Sequence, residues 1–330
     1  MSTNKPLVSI GIPAYNHEMY VQSCIQSVIE QDYENIELII IDDGSNDSTW
    51  DRIQEMSGVC KKRFKRFVSL RQENQGAAKT GHRMQEMAQG DFYGGIASDD
   101  QYLSGAVSAL IQPMIDDPTV GLVVGVNEIM DARGRKCYWD ENRKIVYDET
   151  KARYRTFTQF IETYSNVDFQ SDQFGTYAEL IKNNHIPNGA IRRRGEFRLT
   201  LPKTDGRVLE DWWFHLQFSK EAKYKAISQH TFRYRWHDAN TISKSSYINR
   251  AYINTLIAER QLLLNDERFW KFREIARESL RFFEVKQKIL GPLKLLVEHR
   301  MFVDIAEIGA ARCHIPLWVS KVSSENKESR

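Results

Sequence analysis

The chain has 330 residues, enough for one large domain and an appendage. Its 46 basic and 44 acidic side chains leave a formal charge of +2, which gives no ground for binding nucleic acid. No apolar run reaches the 18 or so residues that a membrane span requires, and Met1 to Pro6 carries no apolar leader.

Cys24, Cys60, Cys137 and Cys313 are scattered, without paired or metal-ligand spacing, so free thiols in a reducing compartment are expected. Together these features predict a cytoplasmic protein, soluble or peripheral on a membrane.

Leu7-Val8-Ser9-Ile10-Gly11-Ile12, closed by Pro13, is an apolar run suited to a strand buried on both faces. The loop Ala14-Tyr15-Asn16-His17 leads to Met19, Tyr20, Cys24, Ile25, Val28 and Ile29 at helical spacing. A second buried strand, Ile36 to Ile41, ends in Asp42-Asp43, and Gly44-Ser45-Asn46-Asp47-Ser48-Thr49 then forms a turn into a helix around Trp50, Ile53 and Met56. Phe67 to Leu70 is a third strand, Asn74-Gln75-Gly76 a turn, and Ala77 to Gln89 a helix stopped by Gly90.

Phe92 to Ser98 reads as a short strand that runs into two adjacent carboxylates, Asp99 and Asp100. Neighbouring anions repel and resist burial, so a divalent cation carrying a diphosphate would explain the pair. Hard oxygen ligands suit Mg²⁺ or Mn²⁺. The alternative is a solvated turn that caps the helix starting near Leu103.

Short apolar strands alternating with amphipathic helices predict an α/β protein with a mainly parallel sheet, and such sheets bind ligands beyond their carboxyl ends. Tyr15, Asp43 and the Asp99-Asp100 pair all sit at such ends.

Leu103 to Ile115 is a helix and Val120 to Ile129 a strand. From Asp131 to Asn184 the periodicity weakens and aromatics rise, predicting a long insertion or mobile region. Ile186 to Ile191 returns to the sheet, and Arg192-Arg193-Arg194 reads as a solvated turn, with phosphate contact as the alternative. Glu210 and Asp211 open a helix, where the dipole alone would favour acids. Tyr224 to Ile227 is followed by an expected strand at Thr231 to Trp236, and His237 begins a polar loop.

Beyond Ser246 long basic helices are expected over 252–264, 268–290 and 292–311, with a disordered tail from Ser323. These helices would pack, dimerise or lie on an anionic membrane surface.

The ordered series Val8 to Asn16, Ser27 to Gln31, Asp42 to Thr49, Glu73 to Gly76, Ala97 to Asp100 and Glu210-Asp211 resembles the family 2 inverting glycosyltransferases of GT-A fold. The resemblance implies a GT-A domain over 1–245, with 1–102 binding the nucleotide sugar and 103–245 carrying the acceptor side and the base. The helical extension over 246–330 lies outside it.

Carried over by position, Pro13, Ala14, Tyr15 and Asp43 would contact the nucleotide base. Asp99 would approach the ribose, Asp100 would hold the metal, and His237 would close on the metal-diphosphate. Asp211 would be the general base, assisted by Glu210. Thr80-Gly81-His82 stands where the family usually has Ala-Arg-Asn, so Lys79 or Arg83 would replace the missing arginine. Ser98 stands at the first position of the metal motif, where the family more often has Asp.

The implied reaction is Mn²⁺- or Mg²⁺-dependent transfer of one sugar from a nucleotide-diphosphate sugar, UDP foremost, to a glycan or lipid-linked acceptor. O-antigen, lipopolysaccharide or capsule assembly would be its setting. Phe232-Arg233-Tyr234-Arg235-Trp236 lacks the Gln of the processive synthases. Two other readings compete: a nucleotidyltransferase of similar fold, and a non-enzymatic Mg²⁺-binding signalling receiver. The first lacks its Gly-rich basic loop after the first strand, and the second should be compact, about 120 residues.

Overall fold

The structure is a computed structural model that describes residues 5–195, 197, 199, 202, 208–237, 240 and 245–277. It divides into two compact units. The first comprises Met1–Phe160, Pro187–Phe197 and Ala222–His237, the second Ile161–Ile186, Arg198–Glu221 and Asp238–Arg330.

The first unit holds a sheet in the order β3-β2-β1-β4-β9-β6-β10-β5, with β7 and β8 extending from β6. Strands β1 (Val8–Ala14), β2 (Ile36–Asp42), β3 (Arg66–Arg71) and β4 (Phe92–Gly95) run parallel. Helices α1 (Val21–Ile29), α2 (Thr49–Arg63) and α3 (Ala77–Met87) connect them. The alternation of β2 explains the layering. Leu38 and Ile40 pack with Cys24, Ile25 and Val28 of α1 and Ile53 of α2. Ile39 and Ile41 join Met84 of α3 and Tyr93. Both faces are covered, which is why the strand reads as one apolar run.

After β4 come β5 (Gln101–Tyr102), α4 (Ala106–Asp116), β6 (Val120–Met130), β7 (Lys136–Trp139) and β8 (Ile145–Val146). The segment expected to be a long insertion or mobile region holds regular elements, β7, β8, α5 (Phe157–Ser165) and α6 (Tyr177–Leu180). Its aromatics form a cluster in which Trp139 meets Phe157, Phe160 and Trp236 edge-on. Strand β9 (Ile191–Arg193) runs antiparallel between β4 and β6.

The three arginines are therefore not a solvated turn. Arg192 and Arg193 lie in β9, with their guanidinium groups over the rings of Tyr93 and Phe92. The strand expected at Thr231 to Trp236 is longer than that and takes in Tyr224 to Ile227, as β10 (Lys223–Arg235), parallel to β6 and interrupted by register shifts.

The second unit contains α6, α7 (Glu210–Phe218) and α8 (Ser245–Asn265), followed by a short 3₁₀ turn over Glu267–Phe269. Tyr177, Leu180, Trp212, Leu216, Leu256 and Phe269 are among its buried residues. Lys220 and Glu259 form an ion pair with both side chains fully buried, and Tyr177 and Gln217 also donate to Glu259.

The C-terminal helix expected over 252–264 is present within α8. The continuation past residue 277, the helix over 292–311, the tail from Ser323 and Cys313 lie outside the described residues. Cys24, Cys60 and Cys137 are free and buried, as expected. Among the described residues no helix is long and apolar enough to cross a membrane.

Candidate active site

The carboxyl ends of β1 and β2 are adjacent because the strands pair in register from Val8↔Ile36 to Ala14↔Asp42. Their loops are laced together. The Asn16 N–H donates to Ser45 Oγ at 2.9 Å, the His17 N–H to Thr49 Oγ1 at 2.8 Å, and the Asn46 N–H to Asn16 Oδ1 at 2.9 Å. Asn16 has φ +52, a left-handed conformation that Asn tolerates better than most residues.

Pro13 and Ala14 finish β1, and the next residue, Tyr15, is 44% exposed. Asp43 follows β2 and is buried. Gln72 Nε2 (2.7 Å) and the Gln75 N–H (2.9 Å) donate to its Oδ1, and the Gly76 N–H (2.9 Å) donates to Oδ2. Desolvation pushes its pKa up, but these bonds, with one from Thr80, outweigh it and hold the carboxyl below its ordinary value.

Arg83 donates to Gln72 Oε1 at 2.6 Å, so it reaches Asp43 through one intervening side chain. Lys79 is exposed in the first turn of α3. Of the two candidates for the missing arginine, Arg83 is the one wired to Asp43.

Asp99 and Asp100 do not end β4 directly. The strand stops at Gly95, and a turn closed by the Asp100 N–H to the Ala97 carbonyl at 3.0 Å presents the pair. Helix α4 begins at Ala106 with Gly105 at its cap, so neither acid caps it.

Antiparallel pairing of Tyr102 with Phe232 and Gln101 with Arg233 carries the chain on so that Asp99 and Asp100 face the end of β10. There the Arg235 N–H donates to Asp100 Oδ1 at 2.8 Å, and Arg235 Nε donates to the Asp99 carbonyl at 2.5 Å. His237 Nε2 lies 3.0 Å from Asp99 Oδ2, and His17 Nδ1 lies 2.7 Å from Ser98 Oγ.

Asp100 is 1% exposed. Burial, then the adjacent Asp99 charge, raise its pKa, against donation and charge from Arg235 and a hydrogen bond from Asn188. His17 titrates below its ordinary value, chiefly through desolvation.

Among the described residues no three His, Cys, Asp or Glu side chains form a cage for a metal ion. Two carboxylates beside an imidazole instead fit an ion that takes most of its ligands from phosphate and water, as Mg²⁺ commonly does. The pair as folded holds less negative charge than the sequence suggests, because Arg235 is already in place.

Glu210 and Asp211 open α7 in the second unit, and both are exposed. Asn184 Nδ2 donates to Asp211 Oδ2 at 2.9 Å, and the Trp212 N–H donates to Oδ1 at 2.8 Å. Although the residue is open on one side, surrounding protein desolvates the carboxyl and raises its pKa, against these two donors. One turn along, burial and the neighbouring His185 lower the His215 pKa to about 3, so His215 is neutral at physiological pH.

Of the residues singled out in the sequence, Asp43, Asp99, Asp100 and His237 lie in the first unit, where His237 meets Asp99, and Asp211 lies in the second. Sequence reading gave no role to His17, Gln72, Asn184 or Asn188, and it noted Arg235 only beside Trp236.

A mainly parallel sheet with acids gathered at its strand tips defines a nucleotide-sugar transferase fold of GT-A type. Residues 9–181, just over half of the chain, match the profile described as Glycosyl transferase family 2. The chain therefore belongs to glycosyl transferase family 2 and is a glycosyltransferase.

It is 34% identical over 227 residues to an uncharacterized glycosyltransferase of Haemophilus influenzae, covering 69% of this chain and 77% of the relative. To the putative teichuronic acid biosynthesis glycosyltransferase TuaG of Bacillus subtilis it is 32% identical over 116 residues, covering 35% of this chain and 45% of the relative.

Among solved structures, S. aureus TarS residues 1–349 in complex with UDP-GlcNAc superposes with TM-score 0.55 at 17% identity, covering 89% of this chain and 77% of that one. The mannosyltransferase PcManGT of Pyrobaculum calidifontis, in complex with GDP-Man and Mn²⁺, gives 0.54 at 14% identity, covering 99% and 89%. These likenesses establish the fold.

Proposed function

We propose that the chain transfers a single sugar, with inversion, from a nucleotide-diphosphate sugar to a hydroxyl of a glycan or lipid-linked glycan, in bacterial cell-surface polysaccharide assembly. The observation that carries this reading is the buried Asp99-Asp100 turn with His237 beside Asp99, in the same unit as the hydrogen-bonded Asp43.

In this reading residues 1–102 bind the donor, and 103–245 carry the acceptor side and the base. Tyr15, Pro13, Ala14 and Asp43 flank the nucleotide base, with Arg83 taking the place first given jointly to Lys79. Asp99 faces the ribose. Asp100, with His237, holds Mn²⁺ or Mg²⁺, which when bound supplies Lewis-acid neutralisation of the leaving diphosphate.

The acceptor oxygen forms its bond to the anomeric carbon while the bond from that carbon to the phosphate oxygen breaks. Asp211, kept in orientation by Asn184 and the Trp212 N–H and assisted by Glu210, takes the acceptor proton. Attack opposite the leaving group turns an α-linked donor into a β-linked product. UDP is favoured as the nucleotide and the cytoplasm as the location, where three buried free thiols are at home.

The complexes of TarS with UDP-GlcNAc and PcManGT with GDP-Man and Mn²⁺ support a nucleotide-sugar donor and a divalent ion for this fold. The test is a donor-hydrolysis screen over UDP-, GDP- and dTDP-sugars with Mn²⁺ or Mg²⁺. Release of one nucleoside diphosphate that depends on the metal and on Asp100 is expected. Release of sugar 1-phosphate and the nucleoside monophosphate instead, from cleavage between the two phosphates, would indicate nucleotidyl transfer.

A further inference from the structure

Arg235 is 2% exposed, an unusual place for a guanidinium. The fold brings it there twice over. Antiparallel pairing with β5 sets the end of β10 against Asp99 and Asp100, and parallel pairing with β6 sets Arg235 beside Met130.

Its Nε donates to the Asp99 carbonyl. Its Nη1 donates to the carbonyls of Asp131 and Ala132 at 3.3 and 3.2 Å, and its Nη2 to Ser23 Oγ at 3.3 Å. The guanidinium also lies 4.8 Å from the centre of the Tyr20 ring. These neutral oxygens fix where the charge sits. Its field falls on the acids, with Asp100 and then Asp99 the charges that act on it most strongly.

We propose that Arg235 is the built-in counter-cation of the Asp99-Asp100 pair, a positioning residue that makes divalent-cation binding depend on the phosphates of the nucleotide. This rests on the nucleotide-sugar reading above. With both carboxylates ionised, as metal binding requires, the pair and one guanidinium sum to a single negative charge, a weak seat for a divalent cation alone. A nucleoside diphosphate brings the further negative charge that the cation needs, so the two bind together and the cation does not sit on the acids beforehand. The pair stays folded without metal because the compensating charge belongs to the chain.

The test measures Mn²⁺ binding to the full chain by calorimetry, alone and with UDP, GDP or dTDP, alongside melting temperature, for wild type, Arg235→Gln and Arg235→Lys. Arg235→Gln should bind Mn²⁺ alone about tenfold more tightly than wild type, because the site then carries the whole charge of the pair. The factor by which the nucleotide tightens Mn²⁺ should shrink accordingly. Arg235→Lys keeps the charge but loses the forked contacts, so it should melt lower than wild type while binding Mn²⁺ alone as wild type does.

Unchanged Mn²⁺ affinity in Arg235→Gln, or the same shift in both variants, overturns the proposal. If Arg235→Gln folds only when Mn²⁺ is added, the cation has replaced the missing charge and the proposal stands. If it folds neither with nor without Mn²⁺ while Arg235→Lys folds, the arginine is structural only. Should UDP, GDP and dTDP all fail to tighten Mn²⁺ in wild type, the nucleotide-sugar reading fails, and the comparison with Mn²⁺ alone still judges the charge balance.

Discussion

In the proposed reaction Asp211 takes the acceptor proton, and its surroundings bear on how readily it does so. Crowding raises its pKa, and Asn184 and the Trp212 N–H restrain the rise and fix the orientation. Asp211→Asn should therefore cut transfer roughly 100- to 10,000-fold while leaving UDP affinity, measured by calorimetry, near wild type.

The pH dependence has a definite sign. A base must be ionised, and a raised pKa keeps the proton on at higher pH. The acid limb of kcat should accordingly lie above the ordinary Asp value of 3.8. Asn184→Ala removes a donor to the carboxylate and should move that limb further up. His215, neutral throughout this range, should leave the profile alone. A limb at or below 3.8 would contradict the assignment.

Asp43 makes the opposite case, a carboxylate held ionised by four donors. Asp43→Asn should weaken UDP binding about tenfold, because its Gln75 and Gly76 N–H partners lose a charged acceptor, with a smaller effect on kcat. Asp43, Asp99 and Asp100 were legible in the sequence because they follow apolar runs, whereas Asp211 stood out only through the family resemblance, since a helix start favours acids in any case. Arg235 and Asn184 were not legible, since their partners lie 135 and 27 positions away, and composition carries no trace of such distant pairing.

Among the elements, β1, β2 and β4 followed from their apolar runs, because a strand covered on both faces shows no alternation to misread. Strand β10 was legible only in pieces. Its middle, around Ser228, Gln229 and His230, is polar and exposed where the pairing with β6 shifts register. The arginines of β9 were misread for a related reason. Their apolar stems and flat guanidinium groups cover Tyr93 and Phe92, so charge in the sequence did not mean solvent in the fold.

In the second unit, Lys220, two residues past the end of α7, forms a fully buried ion pair with Glu259 of α8. Lys220 also lies 4.4 Å from the centre of the Phe269 ring. Removing one partner strands the other charge. Lys220→Met should destabilise the chain by roughly 3–5 kcal/mol in urea unfolding. Lys220→Met combined with Glu259→Leu should recover much of that loss. A single variant as stable as wild type would show that the pair carries no such weight.

At the scale of the whole molecule, the protein is a glycosyltransferase of family 2 whose proposed donor-side acids and proposed base belong to separate compact units. The family was legible because its motifs sit on loops between strands that the apolar pattern already located. The donor sugar and the acceptor were not, because both are selected by side chains that no motif fixes.

The central claim is that the acids at the strand tips seat a nucleoside diphosphate through a divalent ion on Asp100. Calorimetric titration of UDP and GDP into wild type and Asp100→Asn, in Mn²⁺ and in EDTA, tests it most directly. One nucleotide should bind wild type tightly in Mn²⁺, at least tenfold more weakly in EDTA, and weakly to Asp100→Asn in either. Equal binding with and without metal, or undiminished binding by Asp100→Asn, would contradict it.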